Sequence, residues 1–323
     1  MPDMQSLEKA ELVATTRCYG NCGTCYGGGD FGPAGEHVDT DVLLSRAGKL
    51  AAYAEKGLLD HMALIGGEPL THPGLPQLVS EYTGRIPITI CTAGEPPGGV
   101  DVEPFIGEVE WNLTYHPQIG DAYKSLAGKL LRSGKSFITA LNFLDHKSLI
   151  ALCEEFGSVL PSIGMPAGDE FAQYVRGSVN ETNYFQWALA KKLKIERPGV
   201  PVMAVYLNPI DLRFTRHGPD HFTVPYTDSP PARCWLVGAK EMNIAVREDG
   251  SVVPCAAPAQ RHVPPIIRSI DLIDEIPGNL SEAIRTCGNR ILMAKRTIKE
   301  YRGRRDKDDV CDMACSKVDW AVA

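Results

Sequence analysis

The sequence predicts an α/β protein built on a parallel sheet and followed by a smaller cysteine-bearing module, and three observations carry that expectation. From Glu11 to about Gly168, short apolar or β-branched runs alternate with helix-length amphipathic stretches, as repeated βα units require. The helix-length stretches are bracketed by capping residues. Beyond about residue 180 the chain becomes Pro-rich and irregular, and five of its ten cysteines lie past residue 230.

Taken in order, the expected strands are residues 12–16, 61–65, 88–92, 109–115, 137–143 and 159–165. A helix is expected over 41–56, because Val42, Leu43, Ala47, Leu50, Ala51 and Ala54 recur at helical spacing between Asp39 and Thr40 at one end and Gly57 at the other. Asp145 similarly precedes a helical stretch that ends at Gly157. Turns after successive parallel strands collect at one end of the sheet, where such folds place their chemistry. The expected division is a first domain over 10–180, a connecting segment over 181–230 and a second, metal-bearing domain over 231–323.

A chain of 323 residues with 44% hydrophobic and 23% charged content can bury a full core. It has no run of eighteen apolar residues, and its start lacks the basic and apolar regions of a signal peptide, so a soluble cytoplasmic protein is expected. The net charge of -7 argues against a nucleic-acid partner and favours a cationic substrate. Lys295, Arg296, Lys299, Arg302, Arg304 and Arg305 are interleaved with acidic residues, which reads as a solvated helix face. Ten cysteines in a reducing compartment read as metal ligands where they cluster, not as a disulfide framework.

Cys18, Cys22 and Cys25 place three thiols within eight residues, directly after the first strand, with Gly20 and Gly23 allowing the backbone to curl. An iron-sulfur cube held by three thiolates keeps one iron open to a ligand, whereas a structural zinc site takes four donors and is closed. A zinc knuckle borrowing a distant fourth ligand is the alternative. A second motif, Gly66-Gly67-Glu68-Pro69-Leu70, follows the second strand and offers two glycines for close backbone approach and one carboxylate.

On these residues the sequence resembles the radical S-adenosylmethionine (SAM) superfamily, over about residues 10–168. The resemblance implies a partial (β/α)6 barrel, with a [4Fe-4S] cluster on Cys18, Cys22 and Cys25 whose open iron chelates the SAM amino and carboxylate groups. It implies that Tyr26 places main-chain atoms near the adenine and that Gly66, Gly67, Glu68 and Pro69 bind the SAM amino group. Thr92-Ala93-Gly94 stands where many relatives have Thr-Asn-Gly. Asn112, Thr114 and Asn142 resemble the polar positions that hold the SAM ribose and carboxylate, an ordinary strand-end polar residue being the other reading of each.

Cys234 is followed by fifteen residues, Gly250, four residues and Cys255, and an EDG turn between apolar runs reads as a β-hairpin presenting the two thiols. Cys311 and Cys315 complete four thiols, which suit a closed [4Fe-4S] cluster or a structural zinc. The arrangement resembles a shortened SPASM domain of the Twitch form, which implies one auxiliary cluster and so two [4Fe-4S] clusters in all. Cys91 and Cys153 read as buried packing residues, and Cys287 as a hydrogen-atom donor, a spare ligand or a bystander. His217 and His221, the only close histidine pair, span a Gly-Pro turn, so no histidine metal site is expected.

The resemblance implies reductive cleavage of SAM and hydrogen abstraction from a carbon of the substrate, with flavodoxin or ferredoxin as reductant. Layout and size are similar to aminoglycoside-tailoring members, of the neomycin C epimerase type. The reading is therefore epimerisation of a sugar, aminocyclitol or aminoglycoside, a small molecule that is polycationic in the aminoglycoside case, with Cys287 returning the hydrogen. Asp145, Asp169 and Glu170 are candidate cation contacts or solvated loop carboxylates. Dehydrogenation of an aminocyclitol and maturation of a ribosomally made peptide are the alternatives. A non-catalytic electron carrier would leave the GGEP motif without a ligand.

Overall fold

The structure, a computed structural model, describes residues 7, 9–20, 31–135, 137–143, 146–164, 173–175, 203–209, 243–253, 265 and 267–275. The sheet has nine strands: β1 (Lys9–Thr15), β2 (Met62–Gly66), β3 (Ile88–Thr92), β4 (Glu110–Tyr115), β5 (Ile138–Phe143), β6 (Gln173–Val175), β7 (Met203–Pro209), β8 (Asn243–Val246) and β9 (Val252–Val253). Their order is β6-β7-β5-β4-β3-β2-β1-β8-β9, with every neighbouring pair parallel except the β8–β9 hairpin. The expected α/β fold class is thus present, and the first five strands lie within a few residues of their expected bounds. No helix among the described residues is long and apolar enough to cross a membrane.

Alternation along the strands divides the sheet into two faces. Leu12, Ala14, Met62, Leu64, Ile88, Ile90, Trp111 and Leu113 join the large core with residues of α1 (Thr40–Glu55), α2 (Leu75–Tyr82), α3 (Gly120–Arg132) and α4 (His146–Ser162). On the opposite face Val13, Ala63 and Ile65 form a small separate cluster with Cys91 against it. Toward the strand starts the same face turns polar, with a Lys9–Glu11 ion pair at 2.6 Å and the His61 Nε2 atom 2.6 Å from the Thr89 hydroxyl.

The expected cap of α1 is formed: the Asp39 carboxylate accepts from the Asp41 and Val42 amides at 3.0 and 3.2 Å, and Gly57 leaves the helix at φ 70°. Val42, expected on the apolar stripe, faces solvent, and Leu44 and Tyr53 are buried instead.

The sixth expected strand, 159–165, is corrected. Residues 146–162 form one helix that runs through Gly157 and carries Pro161 in its last turn. Leu152, Phe156, Val159, Leu160 and Ile163 are all buried at helical spacing, so the 3.6-residue period outweighs the local apolar run. The place beside β5 is taken by β7, whose Asn208 pairs with Asn142. The hairpin expected around the EDG turn is present as β8 and β9, and β8 extends the sheet beside β1, with Glu11 paired to Ala245.

Helix α1 holds that hairpin by its turn. The Arg46 guanidinium donates to the Glu248 carbonyl at 2.8 Å and the Arg247 carbonyl at 3.4 Å, and Lys49 pairs with Asp271. Gly250, at φ 86°, leaves room for the guanidinium, since a Cβ there would lie 2.9 Å from Arg46 Nη2. Replacing Arg46 with alanine removes both guanidinium bonds, the Arg247 carbonyl keeping the Gly250 amide at 2.9 Å, and a loss of about 1–3 kcal/mol is expected in chemical denaturation.

Candidate functional site

The C-terminal ends of β1, β2 and β3 meet in one hydrogen-bonded knot, which begins where β1 runs out. The Thr15 side chain is buried, and its hydroxyl donates to the Glu36 carbonyl at 2.9 Å and accepts from the Arg17 amide at 2.9 Å. His37 Nδ1 lies 2.9 Å from the same oxygen. The hydroxyl has one hydrogen, directed at Glu36, so the imidazole is assigned as the Nδ1–H donor. Thr16 and Glu36 also pair through their backbones, at 2.9 Å from Thr16 N to Glu36 O. The Cys18 amide donates to the Gly32 carbonyl at 2.9 Å, and Gly32 N donates back to Thr16 O at 3.1 Å. The segment that leaves at Cys18 therefore returns at Gly32 through a closed neck. Cys18 is half-buried and in no disulfide, while Cys22, Cys25 and Tyr26 lie outside the described residues.

The Gly66-Gly67-Glu68 turn is laid directly on this neck. Gly67 N donates to Thr15 O and Glu68 N to Arg17 O, each at 2.8 Å. A Cβ on Gly66 would stand 2.2 Å from Thr15 O, and one on Gly67 would stand 2.4 Å from Arg17 O. The two glycines thus serve a close approach of backbone to backbone.

Glu68 is 1% exposed and turned into the protein. Its Oε1 accepts from the Leu70 amide at 3.0 Å and the Thr92 hydroxyl at 2.6 Å, and its Oε2 accepts from the Ala93 amide at 2.9 Å. The carboxylate is a strut joining the turn after β2 to the turn after β3. Burial pushes its pKa up to about 7, against the downward pull of those three hydrogen bonds. A group raised from its ordinary value of about 4.5 keeps its proton longer in the native state, so it makes stability fall as pH rises from about 4.5 to about 7. Melting temperatures measured across that window should show this decline, and Glu68→Gln should flatten it.

Pro69 starts the short 3-10 turn Pro69–Thr71 beyond Glu68 and is buried. Thr92 spends its hydroxyl on Glu68 and also accepts from Gly94 N at 3.0 Å. Asn112 and Thr114 lie one strand further, on the face that carries Cys91; Asn112 pairs in register with Cys91 and Thr114 with Ala140. Asn142 stands on β5, in register with Asn208 of β7. The structure therefore brings Cys18, Gly66, Gly67, Glu68, Pro69 and Thr92 into one knot, with Asn112, Thr114 and Asn142 on adjacent strands. Cys234, Cys255, Cys287, Cys311, Cys315, Asp145, Asp169 and Glu170 lie outside the described residues.

Residues absent from the sequence reading complete the site. His37 and His72, distant in sequence, meet edge to face at 5.1 Å. His72 is fully buried, with Nε2 donating to Val38 O at 2.7 Å and Nδ1 accepting from Gly74 N at 3.0 Å, the pattern of a neutral ring. Burial lowers the pKa of both imidazoles. At the exit of β4, burial lowers His116 to about 4, so it too is neutral. The signal for His37 was only a polar residue two positions before the Asp39 cap, which local pattern cannot tie to Thr15.

No family model matches the sequence, and no curated protein matches it. Solved structures do. SuiB from Streptococcus suis, bound to S-adenosylmethionine, superposes with a TM-score of 0.56 at 12% identity over 95% of this chain and 75% of that one. SuiB bound to its precursor peptide SuiA gives 0.55 at 14% identity over 95% and 76%. BtrN, in complex with AdoMet and 2-DOIA, gives 0.45 at 12% identity over 88% of this chain and 89% of that one. This chain shares the fold of SuiB.

Proposed function

We propose that the chain is a radical SAM enzyme in which Cys18, Cys22 and Cys25 hold a [4Fe-4S] cluster and the Gly66–Glu68 turn positions SAM beside it. The observation that carries this reading is the knot itself: the turn after β2 is hydrogen-bonded to the very segment that delivers Cys18. The donor set fits the group, because Cys18 is an unbridged thiol at the C-terminal end of β1, at the mouth of a loop that contains two further cysteines. When bound, such a cluster supplies one electron for SAM cleavage, which yields a species able to take hydrogen from carbon.

The protein's own residues divide the remaining work. The neck fixes where the cysteine loop starts, Glu68 holds the two turns at one spacing, and Asn112, Thr114 and Asn142 offer polar groups on the adjoining strands. Cys234, Cys255, Cys311 and Cys315 are proposed as ligands of a second [4Fe-4S] cluster. β9 ends at Val253, level with Ala245 and hence with Glu11, and Cys255 follows two residues later in the sequence. The domain division over 10–180, 181–230 and 231–323 belongs to the same proposal.

For the substrate, the acidic balance favours a small polycationic sugar or aminoglycoside, epimerised with Cys287 as hydrogen donor. A second reading, modification of a peptide, is favoured by the likeness to a protein solved with its precursor peptide. Anaerobic protein given SAM and a reductant should form 5'-deoxyadenosine. In heavy water an epimerase leaves one solvent deuterium at the inverted carbon, and Cys287→Ala should then cleave SAM without giving epimer. Normal turnover by that variant removes the donor role, and a protein that binds iron yet never cleaves SAM removes the enzyme reading.

A further inference from the structure

We propose that Thr15 and His37 form a latch that positions the cysteine loop relative to the SAM-binding turn. The proposal rests on the function argued above and adds two positioning residues to it. Thr15 is the point where three separate backbone segments meet. Its hydroxyl binds Arg17 N on the outgoing strand and Glu36 O on the returning one, and its carbonyl binds Gly67 N of the turn after β2. His37 closes the arrangement by donating Nδ1–H to that hydroxyl, so the oxygen has one hydrogen given and two received.

The ring is itself held from behind. His72 meets it edge to face, and both nitrogens of His72 are engaged by the backbone at Val38 and Gly74. His37 cannot swing away without opening this contact. Groups that orient the ligands of a metal site, rather than touch the metal, typically change its affinity or activity by about 10–100-fold when removed. Here the oriented element is the backbone of residues 15–18, one end of which carries Cys18 and the other of which meets Gly67.

The test compares Thr15→Val, which keeps the shape and loses the hydroxyl, with Thr15→Ser, which keeps the hydroxyl. Three readings are taken on the anaerobic, cluster-loaded protein: iron release to a chelator, the SAM dissociation constant from the electron paramagnetic resonance of the reduced cluster, and amide exchange at Arg17, Cys18 and Gly67. Thr15→Val should release iron and lose SAM affinity by about 10–100-fold and speed exchange at Arg17, and Thr15→Ser should restore all three. His37→Phe against His37→Asn repeats the comparison on a half-buried segment should Thr15→Val fail to fold, asparagine keeping an N–H donor. Wild-type behaviour of Thr15→Val, or of His37→Phe, in all three readings overturns the latch. If the wild-type protein takes up no cluster, the functional reading fails, while amide exchange still decides whether the latch exists.

Discussion

Cys18→Ala protein should still fold but form no 5'-deoxyadenosine above the control without enzyme, a drop of at least about a thousandfold, or about 4 kcal/mol in barrier. The fold should survive because the structural part played at this position belongs to the backbone: the Cys18 amide donates to Gly32 O, and an alanine amide does the same. The side chain is half-buried at the mouth of the loop, so its removal opens no core cavity. Activity should vanish because a cube tethered by two thiolates instead of three is neither retained nor left with one defined open iron. Iron content, the brown absorbance of the reconstituted protein and SAM cleavage should fall together while the far-ultraviolet circular dichroism stays that of the parent. Retained SAM cleavage by Cys18→Ala would contradict the assignment of the first cluster.

The second large effect is structural and falls on Gly66. Its φ of 147° lies in a region that side chains rarely enter, and a Cβ would stand 2.2 Å from Thr15 O and 3.1 Å from Thr15 N. Both are backbone atoms of a residue paired with Gly66 on one side and bridged to His37 on the other, so neither can step aside. Backbone strain and overpacking together are expected to cost about 2–5 kcal/mol in Gly66→Ala, which for a domain of this size lowers the melting temperature by roughly 5–15 °C. The Gly67 N to Thr15 O bond is the nearest one to break, so weakened SAM binding should accompany the loss of stability. Gly84→Ala provides the control: nothing lies within 4 Å of its added Cβ, and a change within about 0.5 kcal/mol is expected there.

Much of the sheet was legible from local pattern. β1 to β5, α1 with its Asp39 and Gly57 ends and the hairpin around Gly250 follow from alternation, helical period and turn chemistry, which are properties of neighbours in sequence. The stretch 159–165 misled because a short apolar run fits a strand as well as the last turns of a helix, and only the burial of Leu152, Phe156 and Ile163 together separates them. β7 and β8 show as apolar runs in an irregular region, yet their places beside β5 and β1 are long-range pairings that no local signal encodes.

The candidate site divides the same way. By itself the sequence determined which residues are available for chemistry, because cysteine spacing and a GGEP turn are short-range patterns: Cys18, Cys22, Cys25 and Gly66 to Pro69 stand out with no coordinates at all. Only the tertiary structure decided where Glu68, Thr15 and His37 make their hydrogen bonds. The Glu68 carboxylate bonds across from the turn after β2 to the turn after β3, and a threonine and a histidine of no local distinction meet at one hydroxyl. Hydrogen bonds between segments twenty or more residues apart depend on directions in space, which the chain acquires only when the sheet has brought those segments within 3 Å of each other.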